Sequence, residues 1–328
     1  MRLVIALGGN ALLRRNDRDD VATQRGRTSE AVAALAGLAR RHQLVITHGN
    51  GPQVGLLALQ ADAYAGGPVM PLDVLGAESE GMIGYLLEQE LRNALPGREV
   101  ATLLTQVVVD ADDPAFRNPT KPIGRVYSHD EGERLARERG WSMAPDGGGL
   151  RRVVPSPAPR RIVELSLIRR MARDRLIVVC AGGGGIPVVE RVDGSLCGVE
   201  AVVDKDHSAA LLAEGVGADG LVLLTDARGV YENFGTPGQR LIRAVGAPHL
   251  RRRTFDPGSM GPKVAAACRF VERTGNWAAI GAIEEAGAIV DGRAGTWIEP
   301  ASELVLRGCT ATRTGEESHR DPCTQEVP

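Results

Sequence analysis

The sequence has few aromatic residues, no closely paired cysteines and a net charge near zero, and each of these features argues against particular kinds of core, site or partner. Phe, Trp and Tyr together make up 3% of the 328 residues, so aliphatic side chains must fill most of any core. The five cysteines form neither a Cys-x-x-Cys pair nor a Cys/His zinc pattern, which favours reduced thiols in a cytoplasmic protein. A net charge of -2 gives no electrostatic reason to expect nucleic acid or an anionic membrane as a partner.

Long apolar runs and several well-known motifs are also missing. No stretch approaches the roughly 18 to 20 apolar residues of a membrane helix. The short apolar run at residues 2–7 is typical of a buried strand and lacks the features of a signal peptide. The chain contains no GxxxxGK[ST] loop, no convincing GxGxxG with an acidic partner, and no GxSxG. These absences argue against a P-loop kinase, a dinucleotide-binding fold and a serine hydrolase.

Short apolar strands recur along the chain, and each is followed by a glycine-rich or polar turn and a segment compatible with a helix. The clearest strands are residues 2–7, 44–47, 176–180 and 221–225. Continuous apolar strands that alternate with helices indicate an α/β fold with a mainly parallel sheet covered on both faces. Ligands of such folds bind at the carboxyl ends of the strands, where the glycine-rich segments fall.

Three glycine loops are candidates for binding an anion through backbone N–H groups. They are residues 8–10 (GGN), 48–52 (HGNGP) and 182–185 (GGGG). Pro52 suits a first helical turn, so the second loop is expected at a helix N-terminus, where the helix dipole favours anions. Ordering four consecutive glycines is costly, which favours close approach to a ligand. A simple strand-to-helix turn stays an alternative for the first two loops, and His48 alone is more typical of a structural residue than of a general base.

Two segments interrupt the alternation of strands and helices. Residues 112–161 contain seven prolines and a run of three glycines, and we interpret this excursion as a small protruding lid subdomain. The last residues, 309–328, are polar with few apolar positions, and we expect them to form a disordered tail.

Lysine is rare in a chain rich in arginine, because only three of its 39 basic residues are lysines: Lys121, Lys205 and Lys263. A lysine kept against this bias suggests a site that needs a compact ammonium group. Phosphoryl transfer needs such cations to stabilise charge on the migrating group. Asp204 and Asp206 flank Lys205 and could orient its ammonium group or hold Mg²⁺. The alternative for the three lysines is that they were kept by chance. The alternative for Asp204, Lys205 and Asp206 is an ordinary alternation of charges on the surface.

With these residues in place, the chain resembles the carbamate kinases of the amino acid kinase family. The matching segments occur in family order and are LGGNALL (7–13), THGNGPQVG (47–55), NPTKPIG (118–124), DGGGLRRVVPSPAPRRIVE (146–164), CAGGGGIPV (180–188), VEAVVDKDHSAALLA (199–213), LTDARGVYENFG (224–235) and GSMGPKVAAACRF (258–270). The resemblance implies a three-layer αβα sandwich around a mainly parallel sheet, with a lid at about residues 118–150. It also implies a homodimer, and reversible phosphoryl transfer between carbamoyl phosphate and ADP in arginine or purine breakdown.

The resemblance further implies a division of labour along the chain. Residues 1–215 would bind carbamate or carbamoyl phosphate, and residues 216–305 would bind ATP or ADP together with Mg²⁺, without a dedicated metal site on the protein. The carbamoyl phosphate site would be lined by Gly8, Gly9, Asn10, Gly49, Asn50 and Gly51. Lys121, Lys205 and Lys263 would hold the phosphoryl group, with Asp206 as their organiser. The nucleotide would lie against Gly183, Gly184, Asp226, Tyr231, Met260 and Lys263.

Two alternatives stay open at the level of sequence. One is a related kinase of the same fold that acts on an amino acid carboxylate or a nucleoside monophosphate, although such kinases usually carry a lysine in the first glycine loop, which reads GGN here. The other is a non-catalytic sensor of nucleotide or carbamoyl phosphate, which the retention of all three lysines disfavours. Glu232 departs from the apolar residue usual in similar sequences, which leaves the edge of the nucleotide pocket less defined.

Overall fold

The computed structural model describes residues 1–12, 20–63, 70–256, 258–301 and 305–308. Within these ranges the strands are β1 Arg2–Leu7, β2 Gln43–His48, β3 Val100–Leu103, β4 Gln106–Val108, β5 Lys121–Tyr127, β6 Met143–Asp146, β7 Gly149–Val154, β8 Arg161–Ile162, β9 Ile177–Cys180, β10 Ile186–Glu190, β11 Leu196–Gly198, β12 Gly220–Thr225, β13 Tyr231–Glu232, β14 Arg240–Gly246, β15 Trp277–Ala282, β16 Thr296–Glu299 and β17 Val305–Gly308. The α-helices are α1 Gly9–Leu12, α2 Val21–Arg41, α3 Gly51–Ala63, α4 Leu72–Ala94, α5 His129–Arg139, α6 Leu165–Arg173, α7 Lys205–Val216, α8 Ala247–Arg251, α9 Met260–Thr274 and α10 Ala286–Val290.

The largest sheet has the strand order β13-β14-β16-β15-β12-β1-β2-β9-β3, and β17 also pairs with β14. The strands from β3 to β15 along this order are all parallel. The antiparallel pairs, β15 with β16 and β14 with β13 and β17, lie at the other end of the sheet. The four apolar runs found in the sequence become β1, β2, β9 and β12, which are neighbours in the sheet.

Helices cover both faces of this sheet. Successive residues of a buried strand point to opposite faces, so alternate residues of β1 pack against different helices. Val4 and Ala6 of β1 belong to the core cluster that includes residues of α6, α7 and α9. Leu3, Ile5 and Leu7 belong to a second cluster, which includes residues of α2, α4 and α10. The mainly parallel three-layer αβα architecture expected from the sequence is therefore confirmed.

The excursion from the main sheet forms a sheet of its own, with the order β5-β7-β6 and with α5 between β5 and β6. This lid sheet runs from Lys121 to Val154, so it begins three residues after the start and ends four residues after the end of the expected range 118–150. Ile123 and Val154 at its root are buried in a cluster with Val54 of α3 and Leu75 of α4. The lid is thus joined to the body of the protein by an apolar root.

A further sheet, with the order β11-β10-β4-β8, was not expected from the sequence. Its strands have only two to five residues, and β4 pairs with the distant strands β8 and β10, so local pattern gives little sign of this sheet. In the part of the chain that the structure describes, no helix is long and apolar enough to cross a membrane. The expected tail, residues 309–328, lies outside the described residues.

Candidate active site

The four glycine-rich or polar turns meet at one edge of the sheet because the strands that precede them are parallel neighbours. The Gly8 N–H donates to the Leu224 carbonyl at 2.9 Å, and the Gly49 N–H donates to the Leu7 carbonyl, also at 2.9 Å. These two amides therefore tie neighbouring turns together, and neither is directed at an anion. The N–H groups of the first helical turns, among them those of Gly9 in α1 and Gly51 in α3, have no acceptor within their own helix and are candidates for binding an anion.

Close contacts between the turns explain why glycine is needed in two of them. A Cβ atom on Gly49 would lie 2.8 Å from the Gly9 nitrogen, and one on Gly183 would lie 2.1 Å from Asn50 Nδ2. The buried Asn50 side chain donates from Nδ2 to Ser79 Oγ at 2.8 Å, so α4 holds it in place. The backbone of Asn10 lies in α1 between Gly9 and Leu12. The first, second and third glycine loops thus form one continuous surface.

The run of four glycines is ordered by its surroundings. Gly183, Gly184 and Gly185 have φ values of 66°, 101° and 86°, which residues with a side chain rarely adopt. Gly184 lies against the backbone that precedes α7, and its carbonyl accepts a hydrogen bond from Ser208 Oγ at 2.7 Å. The loop is therefore a fixed support for the N-terminus of α7.

The three lysines converge at this N-terminus, where two aspartates hold them. Lys205 Nζ lies 2.5 Å from Asp206 Oδ1, and Lys263 Nζ from α9 lies 2.9 Å from Asp206 Oδ2. Lys121 Nζ from the lid lies 2.6 Å from Asp204 Oδ2. Elements from three parts of the chain thus bring all of its lysines to the edge of the sheet that carries the glycine loops.

The electrostatics of this lysine–aspartate cluster follow from its burial. Burial alone would raise the pKa of Asp206, but the ammonium groups of Lys205 and Lys263 outweigh it and lower that pKa. Burial would also raise the pKa of Asp204, but the charge of Lys121 outweighs it, so this pKa is lowered as well. Burial, reinforced by Lys263 and opposed by Asp206, lowers the pKa of Lys205. Both carboxylates are therefore charged at neutral pH, and Lys205 gives up its proton more readily than an ordinary lysine.

Lys121 lies at the root of the lid. It is the first residue of β5 and pairs with Val154, the last residue of β7, at the root of the lid. Its ammonium group is therefore fixed by the part of the lid that packs on the body, and the outer end of the lid need not move to bring it to the cluster.

The residues expected near the nucleotide lie farther along the same sheet edge. Asp226 directly follows β12 and accepts a hydrogen bond from Thr225 Oγ1 at 3.0 Å. Tyr231 lies in β13 with its ring centroid 5.9 Å from that of Phe234, and Met260 begins α9, one turn before Lys263. Glu232, the unusual residue of this region, forms an ion pair with Arg253. Its negative charge is thus matched inside the protein.

Two buried titratable groups lie behind the glycine loops. Burial lowers the pKa of His48 to about 4, so the ring is neutral, and Nδ1 lies 3.2 Å from the Gly49 carbonyl. This supports the structural interpretation of His48. Glu80 of α4, which sequence reasoning missed, accepts from the Gly182 N–H at 2.8 Å and from the Thr105 N–H at 3.2 Å. Its signal in the sequence is a charged residue on the apolar stripe of α4.

The stability of the protein should depend on the protonation of Glu80. Burial raises its pKa to about 8, an effect that the two N–H donors oppose and that Glu164 reinforces. Between these two pKa values the folded protein keeps a proton that the unfolded chain, whose Glu80 has the ordinary pKa of 4.5, has released. The free energy of unfolding therefore falls as the pH rises from about 4.5 to about 8. Glu80→Gln should reduce this slope by up to about 1.4 kcal/mol per pH unit, as measured by urea unfolding at pH 5.5, 6.5 and 7.5.

Glu88→Gln is the matched control, because Glu88 lies two turns along the same helix and pairs with Arg92 at the surface. This variant should keep the slope of the unmodified protein. Equal slopes in Glu80→Gln and the unmodified protein would show that Glu80 is ionised in the folded state at neutral pH.

The carboxylates of the cluster are already engaged by the protein. Both oxygens of Asp206 contact lysines, and Asp204 contacts Lys121 and backbone N–H groups. Among the described residues, no group of three or more His, Cys, Asp or Glu side chains is arranged to hold a metal ion. Lysines and backbone N–H groups therefore occupy the carboxylate oxygens of this cluster.

Comparison with known proteins shows which chains this one resembles. The model of the amino acid kinase family matches residues 1–280. The chain is 51% identical to the carbamate kinase of Haemophilus influenzae over 304 residues, which cover 92% of this chain and 98% of that protein. It is 52% identical to the carbamate kinase of Rhizobium meliloti over 301 residues, covering 91% and 93%. The solved structure of the carbamate kinase from Giardia lamblia bound to AMP-PNP superposes with a TM-score of 0.84 at 39% identity, covering 91% of this chain and 98% of that one.

Proposed function

The chain belongs to the amino acid kinase family, and from this membership we propose that its site transfers a phosphoryl group between carbamoyl phosphate and ADP. The chain is a kinase, a transferase that acts with ATP and a divalent metal ion, and its function is that of a carbamate kinase. The observation that carries this conclusion is the convergence of the three lysines of the chain on Asp204 and Asp206 beside the glycine loops.

The reaction explains why three cations are needed. In the direction of ATP formation, a terminal oxygen of the ADP β-phosphate attacks the phosphorus of carbamoyl phosphate. The bond between phosphorus and the carbamoyl oxygen breaks, and its electron pair leaves with carbamate. The attacking group, the migrating group and the leaving group are all negatively charged, so positive groups must reduce their repulsion and stabilise the charge on the migrating phosphoryl oxygens.

In this mechanism the three lysines and Asp206 each have a role. The ammonium groups of Lys121, Lys205 and Lys263 hold the phosphoryl oxygens. Asp206 organises two of them, because each of its carboxylate oxygens contacts one lysine, at 2.5 Å for Lys205 and 2.9 Å for Lys263. Asp206 is only 4% exposed, so water is kept from competing for these contacts.

The two substrates bind on either side of this cluster. Carbamoyl phosphate or carbamate lies in the N-terminal half, residues 1–215, and ATP or ADP mainly in the C-terminal half, residues 216–305, with Gly183 and Gly184 of the N-terminal half also lining the nucleotide site. The carbamoyl phosphate site consists of Gly8, Gly9, Asn10, Gly49, Asn50 and Gly51. The nucleotide site consists of Gly183, Gly184, Asp226, Tyr231, Met260 and Lys263. Mg²⁺ is the divalent ion, held by the nucleotide phosphates, where it neutralises part of their charge.

A direct assay tests the proposed function. Purified protein mixed with ADP, Mg²⁺ and carbamoyl phosphate should produce ATP, as followed by a coupled enzyme or by phosphorus NMR. Acetyl phosphate, tested in parallel, should react much more slowly because it lacks the amide of carbamoyl phosphate. The absence of ATP despite binding of both substrates would identify a sensor, and a preference for an amino acid or nucleoside monophosphate would identify a related kinase.

Three further proposals rest on the resemblance and on the composition. The enzyme acts in the breakdown of arginine or purines, lies in the cytoplasm and forms a homodimer. The mass of the protein in solution, measured by light scattering, tests the last of these directly, and a monomeric mass would contradict it.

A further inference from the structure

Asp204 has two kinds of partner, one on each carboxylate oxygen. Oδ1 accepts from the backbone N–H groups of Asp206 at 2.9 Å and of His207 at 3.2 Å, so Asp204 is the N-cap of α7. Oδ2 lies 2.6 Å from Lys121 Nζ. The Asp204 side chain is 14% exposed and that of Lys121 is 32% exposed, so the contact is partly protected from solvent. A single carboxylate therefore joins the lid lysine to α7, the helix that carries Lys205 and Asp206.

The backbone on both sides of this contact is fixed. The Val202 N–H donates to the Pro155 carbonyl at 2.9 Å, which ties the segment before Asp204 to the chain leaving the lid. On the other side, Gly124 packs so closely on α3 that a Cβ atom on Gly55 would lie 2.4 Å from its Cα. Rigid support at both ends means that the Lys121–Asp204 contact determines where the Lys121 ammonium group lies relative to α7.

We propose that Asp204 is a positioning residue that holds the ammonium group of Lys121 in register with those of Lys205 and Lys263. This inference rests on the proposed function and goes beyond it, because Asp204 acts through Lys121 and has no contact with the substrate assigned to it. Three ammonium groups gathered at one site repel each other. Asp206 neutralises part of the charge of two of them, and Asp204 does the same for the third.

The two roles of Asp204 can be separated by substitution. An asparagine caps a helix about as well as an aspartate, so Asp204→Asn should keep the hydrogen bonds to the backbone of α7. The same change removes the negative charge that faces Lys121. A loss of activity in a variant with an intact cap therefore reports on the contact with Lys121.

A double-mutant cycle measures this contact in the full-length protein. Asp204→Asn should lower kcat/KM for carbamoyl phosphate by about ten- to a hundredfold, since misplacement of a catalytic group by about 1 Å has effects of this size. The KM for ADP should change by less than about twofold. Lys121→Met should lose more, and Asp204→Asn added to Lys121→Met should cost less than about a further threefold, because the residue through which Asp204 acts is already gone. Multiplied losses, or normal activity of Asp204→Asn, would overturn the proposal.

Asp110→Asn is a closely matched control. Asp110 Oδ1 accepts from the backbone N–H of Asp112, two residues on, at 3.0 Å, and Oδ2 forms an ion pair with Arg160. The geometry repeats that of Asp204 with a surface arginine in place of Lys121. This variant should retain full activity.

Hydrogen exchange gives a readout that does not depend on turnover. In Asp204→Asn and in Lys121→Met, the amides of residues 121 and 123, at the end of β5 that the contact holds, should exchange faster than in the unmodified protein and in Asp110→Asn, while those of residues 205–216 stay unchanged. Unchanged exchange at residues 121 and 123 would overturn the tether. If the unmodified protein makes no ATP from carbamoyl phosphate, the proposed function fails, and the exchange experiment still decides whether Asp204 holds the lid lysine.

Discussion

Lys205→Met is expected to lower turnover by about a hundred- to a thousandfold while leaving the fold intact. Lys205 is the second residue of the Asp-Lys-Asp segment at the start of α7, and its side chain is only 12% exposed. Methionine keeps most of the aliphatic stem and removes the charge, so packing changes little. The charge it removes is one of those that stabilise the phosphoryl group as it moves. Single-turnover and steady-state measurements of ATP formation give the loss directly.

The remaining charges decide how this variant should be controlled. Asp206 keeps its contact with Lys263 at 2.9 Å, so it is not left unpaired and the melting temperature should stay within a few degrees. Arg269→Met removes another cation that is paired with a carboxylate, at 3.3 Å from Glu214, and it should keep nearly full turnover.

Because the pKa of Lys205 is lowered, any decline of activity at high pH that arises from Lys205 should begin below the ordinary lysine pKa and should be absent in Lys205→Met. A folded Lys205→Met protein with near-normal turnover would remove this lysine from the site.

The sequence was sufficient to predict the parts of the fold that depend on local pattern. The apolar runs at β1, β2, β9 and β12 and the turns after them follow from period, glycine content and the rules for parallel sheets. The rarity of lysine singled out three residues that the structure brings together from the lid, α7 and α9. Composition and the family resemblance pointed to these three residues, because local sequence alone could not show that residues 121 and 263 lie near residue 205, and their role in binding the phosphoryl group stays a prediction.

Contacts between distant segments account for what could not be predicted. Glu80 is 102 residues from Gly182, and only the packing of α4 behind β9 brings its carboxyl group to that amide. The amides of Gly8 and Gly49 looked available for an anion, but they donate to carbonyls of neighbouring strands, since parallel strands that end together present acceptors to the turns beside them. The position of Lys121 at the root of the lid depends on the pairing of β5 with Val154, 33 residues later.

Gly184→Ala is expected to be the most damaging change in the glycine run, both for stability and for turnover. The φ value of 101° is unfavourable for any residue with a side chain. The added Cβ atom would also lie 2.4 Å from the Val203 carbonyl oxygen and 2.9 Å from its carbon, both of them backbone atoms that cannot rotate away. Relief of this clash requires the backbone before Asp204 to move, and overpacking of this kind costs about 1 to 3 kcal/mol beyond the backbone strain.

Gly194→Ala separates the two contributions, because Gly194 has a φ value of 81° and no atom within 4 Å of an added Cβ. This control carries the backbone strain without the clash, so it should lose about 1 to 2 kcal/mol of unfolding free energy and keep its activity. In Gly184→Ala the shifted segment carries Asp204 and begins α7, so Lys205 and Asp206 move with it, and turnover should fall by about a hundredfold even at temperatures where the variant is folded. Equal unfolding free energies for the two variants, measured in urea, would mean that residues 203–204 yield without cost, and the glycine run would then not be the support that fixes α7.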